Sequence, residues 1–327
     1  MSYEPPFTIT PKITHLIGDI AETIGEMQQG KNLLDSPKLR KENRIKTITG
    51  TLAIEGNTLT EEQVSAVLEG KRVLGTVKEL AEVRGAINAY EQLTTMSPNS
   101  VGDLLKAHQL MMGEIMNDAG QYRKKSVGIH KGKDVVHIAP QAKRVASLMK
   151  TLFEWMATSE HHPLIVSSVF HYEFEFIHPF TDGNGRMGRL WQTLILSRWK
   201  PLFYSLPLEN LIYENQSEYY DALALADKKA DSEVFIEFIL QSIHTTLKRN
   251  LEENDQVGDQ VSDQVKKLLL VMKDDWLSKN EIMGKLGLLH QPTFRKNYLK
   301  PALEKGFIVM KDPKSPKSPK QKYKRIS

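Results

Sequence analysis

HPFTDGNGRMGR (178–189) packs one His, one Asp, one Asn, three Gly and two Arg into twelve residues. It sits between PLIVSSVFHYEFEFIH (163–178) and RLWQTLILSRW (189–199), which both repeat apolar residues three and four apart. That spacing predicts two amphipathic helices joined by a tight polar loop. Gly183, Gly185 and Gly188 let the backbone turn sharply and approach a ligand closely. A second helix starting near Gly188 would aim its free N–H groups and positive dipole end at the loop, making an anion hole. Arg186 and Arg189 bring permanent charge and forked donors suited to phosphate oxygens. Asp182 is a hard oxygen ligand of the type Mg²⁺ takes alongside substrate phosphates. His178 is the group here whose ordinary pKa suits proton abstraction near neutrality.

Gly183 to Gly188 also satisfies G-x-G-x-x-G, the dinucleotide fingerprint, which requires a preceding strand and a surrounding βαβ unit. Neither is expected. Segments 79–93, 101–116, 142–157, 217–229 and 233–250 carry the same helical spacing, and strands are predicted only within SVGIHKGKDVVHIAP (126–140). The expected class is all-α with one short β-hairpin. Upstream, RIKTITGTLAIEG (44–56) reads as a helix with Ile45, Ile48, Leu52 and Ile54 on its apolar side and a stop at Gly56.

Beyond residue 250 the texture changes. LEENDQVGDQVSDQV (251–265) repeats Asp-Gln-Val three times and reads as a linker over 251–264. A smaller unit follows at 265–327. Helices are predicted over 265–273, 278–287 (opened by a Ser278/Glu281 capping box) and 291–306, then two strands around a Pro-Lys-Ser tip. That order outlines a winged helix. Thr293, Arg295 and Lys296 suit nucleic acid. Phe294, Tyr298, Leu299 and Leu303 form an apolar face that suits protein docking, the favoured reading.

The chain holds 327 residues with net charge +4 and no cysteine, which excludes disulfides and thiolate metal sites. Residues 311–327 carry seven Lys and Arg against Asp312, leaving the remainder slightly acidic. The N-terminus lacks the basic and apolar regions of a signal peptide, and no apolar run nears the roughly 20 residues of a membrane helix. A cytoplasmic protein is expected. His161, His162 and His171 read as surface or packing residues, and Tyr219 and Tyr220 as core.

Residues 178–189 resemble the signature of Fic-domain proteins, H-x-F-x-(D/E)-G-N-G-R-x-x-R, at every specified position. The likeness extends over most of 40–245. It implies an all-α Fic core (1–250) with a hairpin flap, a winged-helix appendage, and transfer of AMP from ATP onto a Ser, Thr or Tyr hydroxyl of a target protein. His178 would be the general base and Phe180 the loop anchor. Asp182 would hold Mg²⁺; Gly183, Asn184 and Gly185 would line the α-phosphate site; Arg186 and Arg189 would meet the outer phosphates. TLAIEG (51–56) is similar to the inhibitory pattern (S/T)-x-x-x-E-(G/N), which implies that Glu55 pairs with Arg189 and restrains the enzyme. GQYRKKSVGI (120–129) resembles the flap, with Val127, Gly128 and Ile129 expected to take the target by strand addition. A homodimer is compatible with the resemblance. Two other readings stay open: removal of AMP by the same site, and a DNA-binding regulator with a Fic sensor core.

Overall fold

The computed structural model describes residues 3–29, 37–131, 134–260, 263–272, 275–304, 306–313, 315–316 and 318–326. The chain divides into two compact units, one of residues 1–24 and 43–247, the other of 25–42 and 248–327. The expected boundary near 250 thus falls at 247/248, and a segment near the N-terminus belongs with the smaller unit.

The elements run α1 (Pro11–Gln29), α2 (Pro37–Ile54), α3 (Glu61–Leu68), α4 (Val77–Gln92), α5 (Val101–Met112), β1 (Gly128–Lys131), β2 (Asp134–Ile138), α6 (Ala142–Thr158), α7 (Pro163–Ile177), α8 (Asn184–Trp199), α9 (Leu208–Glu214), α10 (Gln216–Lys229) and α11 (Glu233–Gln260). Helices α7 and α8 form the central antiparallel pair. In α7 twelve residues are buried, His171 and Glu173 among them, and only Pro163 at its start and Glu175 and Phe176 near its end reach solvent. A helix that is apolar nearly all round belongs inside a domain, and α6, α8 and α11 surround this one with Phe153, Trp191 and Phe235. Tyr219 is buried as expected, whereas Tyr220 is 40% exposed.

Helix α2 docks by its apolar side. Ile45, Ile48 and Leu52 share a buried cluster with Leu59 and Val64 and with Val83, Ala86 and Ile87 of α4. Each such side chain contributes about 1.5–3 kcal/mol on burial. Helix α2 then ends in a Schellman turn. The Asn57 N–H donates to the Leu52 carbonyl (3.1 Å) and the Gly56 N–H to the Ala53 carbonyl (3.0 Å), with Gly56 at φ +87°. Glu55 is therefore the last residue before the left-handed turn.

Strands β1 and β2 pair antiparallel, Gly128 opposite Ile138, with an irregularity between Ile129 and His130. Residues 132–133 between the strands lie outside the described ones.

The stretch expected as an irregular linker is helical through Gln260. It holds one glycine and no proline, and its Glu, Gln and Asp residues do not interrupt a helix already running. Residues 261–262 lie outside the described ones. The smaller unit continues with α12 (Asp263–Val271), β3 (Leu277–Ser278), α13 (Lys279–Lys285), α14 (Gln291–Phe294), a π-helical turn (Arg295–Leu299), α15 (Lys300–Glu304), β4 (Ile308–Met310) and β5 (Lys322–Arg325). The Ser278/Glu281 capping box is present. The three strands lie in the order β3-β5-β4, antiparallel throughout. Strand β3 was not anticipated, because two residues carry no alternation to read. Phe294 and Leu299 are buried in this unit's own core, with Tyr298 and Leu303 packed against it. The apolar face that favoured protein docking is thus consumed internally.

Among the described residues no helix is long and apolar enough to cross a membrane.

The α4–α5 crossing depends on Gly85, where a Cβ would lie 2.1 Å from the Met111 carbonyl oxygen. Gly85→Ala is expected to cost about 1–3 kcal/mol by overpacking. It should lower the midpoint of thermal unfolding, whereas Gly25→Ala, which meets nothing within 4 Å, should not.

Candidate active site

Helix α7 terminates at His178, whose N–H bonds the Phe174 carbonyl (2.9 Å) and whose backbone is left-handed at φ +50°, ψ +63°. This region is uncommon for any residue other than glycine, and such conformations concentrate at functional sites. The surrounding contacts fix it. The Arg123 guanidinium, 3% exposed, donates from Nε to the His178 carbonyl (2.7 Å), from Nη2 to those of Ile177 and Pro140, and from Nη1 to that of Lys125. One buried cation thereby collects two carbonyls at the end of α7 and one on either side of the β1–β2 hairpin, and sets where the His178 backbone lies. The imidazole itself is half-buried.

Past Pro179 the loop is closed by Asn184, 2% exposed. Its Oδ1 accepts the Phe180 N–H (2.8 Å) and its Nδ2 donates to the Phe180 carbonyl (2.9 Å). Both polar ends of this side chain serve the backbone of the loop. Phe180 is fully buried and stacks on His108 with ring centroids 3.7 Å apart. His108 Nδ1 accepts the Gly120 N–H (2.8 Å), so its Nε2 carries the proton and donates to the Asp182 carbonyl (3.0 Å). Burial, above all, holds this imidazole at a pKa of about 4.

Helix α8 begins at Asn184, with Gly183 at φ +83° as its N-cap. That is four residues earlier than expected. Its first helical bond is Met187 N–H to Gly183 O (3.0 Å), so the N–H groups of Asn184, Gly185 and Arg186 have no intrahelical acceptor. The free N–H groups that could receive an anion are thus those of the first turn of α8 itself. Gly185 and Gly188 are consequently helical residues, chosen for close approach and not for turning. A Cβ on Gly185 would stand 2.6 Å from Glu55 Oε1, and one on Gly188 2.8 Å from the His171 ring.

The two arginines differ in their partners. Arg189, 2% exposed, donates from Nε to Thr51 Oγ1 (3.0 Å), and from Nη2 to the Thr51 carbonyl (3.1 Å) and Glu55 Oε1 (2.7 Å). Thr51 and Glu55, one turn apart on α2, clasp it together. The Glu55 side chain keeps 26% of its exposure. Arg186, also 2% exposed, has Nη1 3.5 Å from Glu82 Oε1 and Nη2 3.3 Å from Asp182 Oδ1. Its position on α8 sets it between Asp182 and Glu82 of α4. Glu82 is held in turn by Asn57 Nδ2 (2.9 Å), which links the end of α2 to the second arginine.

Asp182 Oδ1 also accepts the Gly183 N–H (2.6 Å), and its carboxylate is 54% exposed. Among the described residues no three His, Cys, Asp or Glu side chains gather as a metal site. A single exposed carboxylate beside an anion hole fits Mg²⁺, which keeps waters and substrate phosphates as most of its ligands. His171 lies inside the core, its Nδ1 2.8 Å from Gln192 Oε1 and its Nε2 3.2 Å from the Tyr219 hydroxyl. Burial holds it neutral to a pKa of about 3, as befits a packing residue. Arg123, His108, Asn57 and Glu82 escaped the sequence reading. Arg123 stands within the segment assigned to the flap, and nothing local marks the other three.

Residues 98–196 match the Fic/DOC family, and 263–326 match the C-terminal domain of Fic-like proteins, described as filamentation induced by cAMP. Among curated relatives, a protein adenylyltransferase Fic from Nematostella vectensis is 27% identical over 245 residues, covering 70% of this chain and 55% of its own. One from Drosophila ananassae is 30% identical over 215 residues, covering 62% and 40%. The chain spans about half the length of these relatives. A crystal structure of a Fic family protein from Desulfovibrio desulfuricans is 49% identical, covers 99% of this chain and 98% of its own, and superposes with a TM-score of 0.76. Fic-1 from C. elegans (residues 134–508) is 25% identical with a TM-score of 0.62, over 75% and 72% of the two chains.

The neutral His108 makes a pH prediction. An unfolded histidine titrates near 6.5 and the folded His108 near 4, so the unfolded chain takes the proton first as pH falls. The stability from this group is complete above about pH 6.5 and drains away toward pH 4. His108→Gln should remove up to about 1.4 kcal/mol per pH unit from the slope of stability over that window. The comparison with wild type cancels other groups, such as Glu173, whose burial raises its carboxyl to about 7. Equal slopes in urea titrations of the two proteins would contradict this role.

The signature loop, the α7–α8 framework that carries it and the full-length likeness to a solved Fic structure converge, and the chain belongs to the Fic family.

Proposed function

We propose that the core transfers AMP from ATP to a hydroxyl side chain of a target protein, and that Glu55 restrains the transfer. The observation that carries this reading is the 2.7 Å contact between Glu55 Oε1 and Arg189 Nη2, directly over the Gly185 turn. Names of the curated relatives, protein adenylyltransferase Fic, support the same chemistry.

In the proposed step His178 takes the proton of the target hydroxyl. The freed oxygen forms a bond to the α-phosphorus, the bond from that phosphorus to the β-bridging oxygen breaks, and pyrophosphate leaves. The N–H groups that open α8 receive the α-phosphate oxygens, and the dipole of α8 favours their charge. Arg189 supplies the cation for the outer phosphates. Asp182 would hold Mg²⁺, which supplies charge neutralisation along the phosphates when bound. Arg186 orients the Asp182 carboxylate. Catalysis of this kind is positioning and electrostatics, with no covalent enzyme intermediate. Strands β1 and β2 form a ribbon whose outer edges offer main-chain groups, and the segment at Val127, Gly128 and Ile129 would take the target chain by strand addition.

Glu55 competes with the outer phosphates for one guanidinium. ATP bound beside an occupied Arg189 has its phosphates misplaced for in-line attack, and about an ångström of displacement can cost a hundredfold. Transfer of radiolabel from α-³²P-ATP is the test. Glu55→Gly should raise transfer, self-modification included, by about tenfold or more, a coupling of roughly 1–3 kcal/mol. Adding Arg189→Ala should return it to background, and adding His178→Ala should lower it by about 10²–10⁴ while nucleotide still binds. A glycine variant no faster than wild type would refute the restraint. Loss of AMP hydrolysis from a pre-modified target in Glu55→Gly would instead identify removal as the reaction.

A further inference from the structure

The loop between β4 and β5 is built in a way that a solvated lysine tail is not. Asp312-Pro-Lys, Ser315-Pro-Lys and Ser318-Pro-Lys follow one another without a break. Backbone bonds of the turn type tie their described residues together. The Ser315 N–H donates to Asp312 O (3.2 Å), Ser318 N–H to Ser315 O (3.0 Å), and Gln321 N–H to Ser318 O (3.1 Å). Asp or Ser first and Pro second is the composition such turns prefer. A side chain 3% exposed, Gln321, braces the first two: its Oε1 accepts the Asp312 N–H (3.1 Å), and its Nε2 donates to the carbonyls of Asp312 (2.6 Å) and Ser315 (3.3 Å). The Lys311 N–H donates to Lys322 O (2.9 Å), closing the base. The loop is therefore preorganised, and what it presents is charge.

Between residues 291 and 325 there are eleven Lys and Arg against Glu304 and Asp312, a net +9 in a chain whose total is +4. Arg295, Lys296 and Lys300 on the third helix of the unit, and Lys311, Lys320 and Arg325 on the hairpin, are exposed. Most apolar residues of the same stretch point the other way: Phe294, Leu299, Ile308 and Tyr323 are each at most 3% exposed and Tyr298 and Phe307 are part-buried, while Val309 is 39% exposed. A surface of fixed cations with no fully exposed aromatic ring among its described residues suits a phosphate backbone better than unpaired bases, which need exposed rings on which to stack. The helix–strand–helix–helix–strand–strand order supplies the two elements that reach a duplex, a helix for the groove and a wing for the adjoining backbone.

We propose that the C-terminal unit binds duplex DNA through its sugar-phosphate backbone, with the Pro-Lys hairpin and the helix from Gln291 as the two points of contact. Most of the affinity is electrostatic, so it depends steeply on salt and weakly on sequence. This holds whether or not the core transfers AMP.

The test is fluorescence anisotropy of the full chain with a labelled 20-base-pair duplex, the matching single strand, and vesicles of phosphatidylserine and phosphatidylcholine, across a salt series. Duplex should bind several-fold more tightly than single strand or vesicle. Lys311→Gln/Lys320→Gln should weaken duplex binding by about tenfold and reduce the slope of log K against log salt by about 2, one for each phosphate left unneutralised. Arg295→Gln/Lys296→Gln should act likewise. Gln321→Leu keeps every charge and removes the brace; it should weaken duplex binding while leaving the thermal melt and nucleotide binding of the chain in place. Unchanged duplex affinity in both charge variants would overturn the proposal, as would equal affinity for duplex, single strand and vesicle. Wild-type affinity in a folded Gln321→Leu would refute the role of the built hairpin.

Discussion

A guanidinium that is 2% exposed must be met by an anion or by carbonyls, and the Arg189 guanidinium is met by both. That requirement organises the end of the core where α2 meets α8. Thr51 provides a hydroxyl and a carbonyl, Glu55 provides the charge, and both ride on a helix that docks through Ile45, Ile48 and Leu52. The Schellman turn at Gly56 stops the helix so that the carboxylate ends beside Gly185. The attachment of α2 is mostly apolar, while its consequence is electrostatic. In the proposed restraint, a ligand bringing its own phosphate would exchange with Glu55 without dismantling the packing beneath it.

The loop between α7 and α8 is stiff for a different reason. It has few side chains of its own to pack, so its backbone groups are collected by buried side chains from elsewhere. Asn184 takes both polar groups of Phe180, Arg123 takes the carbonyls at the end of α7, and His108 takes that of Asp182. Buried polar networks of this kind specify one geometry because any alternative leaves a partner unsatisfied. The result is a left-handed His178 followed by an open helix N-terminus, the pairing that the proposed transfer to a phosphorus atom would use as base and anion hole.

Much of this was legible in the sequence. Helical spacing located α4 to α8 and α10, and the resemblance of residues 178–189 and 51–56 to the Fic patterns anticipated the pairing of residues 134 positions apart. Missing from that reading were the directions of side chains. Asn184 and Arg186 belong to the motif, yet one closes the loop and the other meets Glu82, because a pattern records identity and not orientation. His108 and Arg123 act on residues 74 and 55 positions away, and no local signal marks them. The α8 start was misplaced because glycines suggest turns, whereas Gly185 and Gly188 lie within a helix to admit close neighbours. In the smaller unit, exposed and buried faces of one helix were indistinguishable until its core was visible; Phe294 and Leu299 face inward, leaving cations outside.

Competition for Arg189 is the centre of this account, and the affinity of the site for nucleotides of different length measures it directly. Calorimetric titration of wild type and Glu55→Gly with ATP and with AMP separates the outer phosphates from the rest of the ligand. If Glu55 occupies the cation that those phosphates need, the variant gains affinity for ATP and little for AMP, so the ratio of the two constants rises several-fold. An identical ratio in the two proteins would contradict the account, because Glu55 would then be excluding the nucleotide as a whole or not at all.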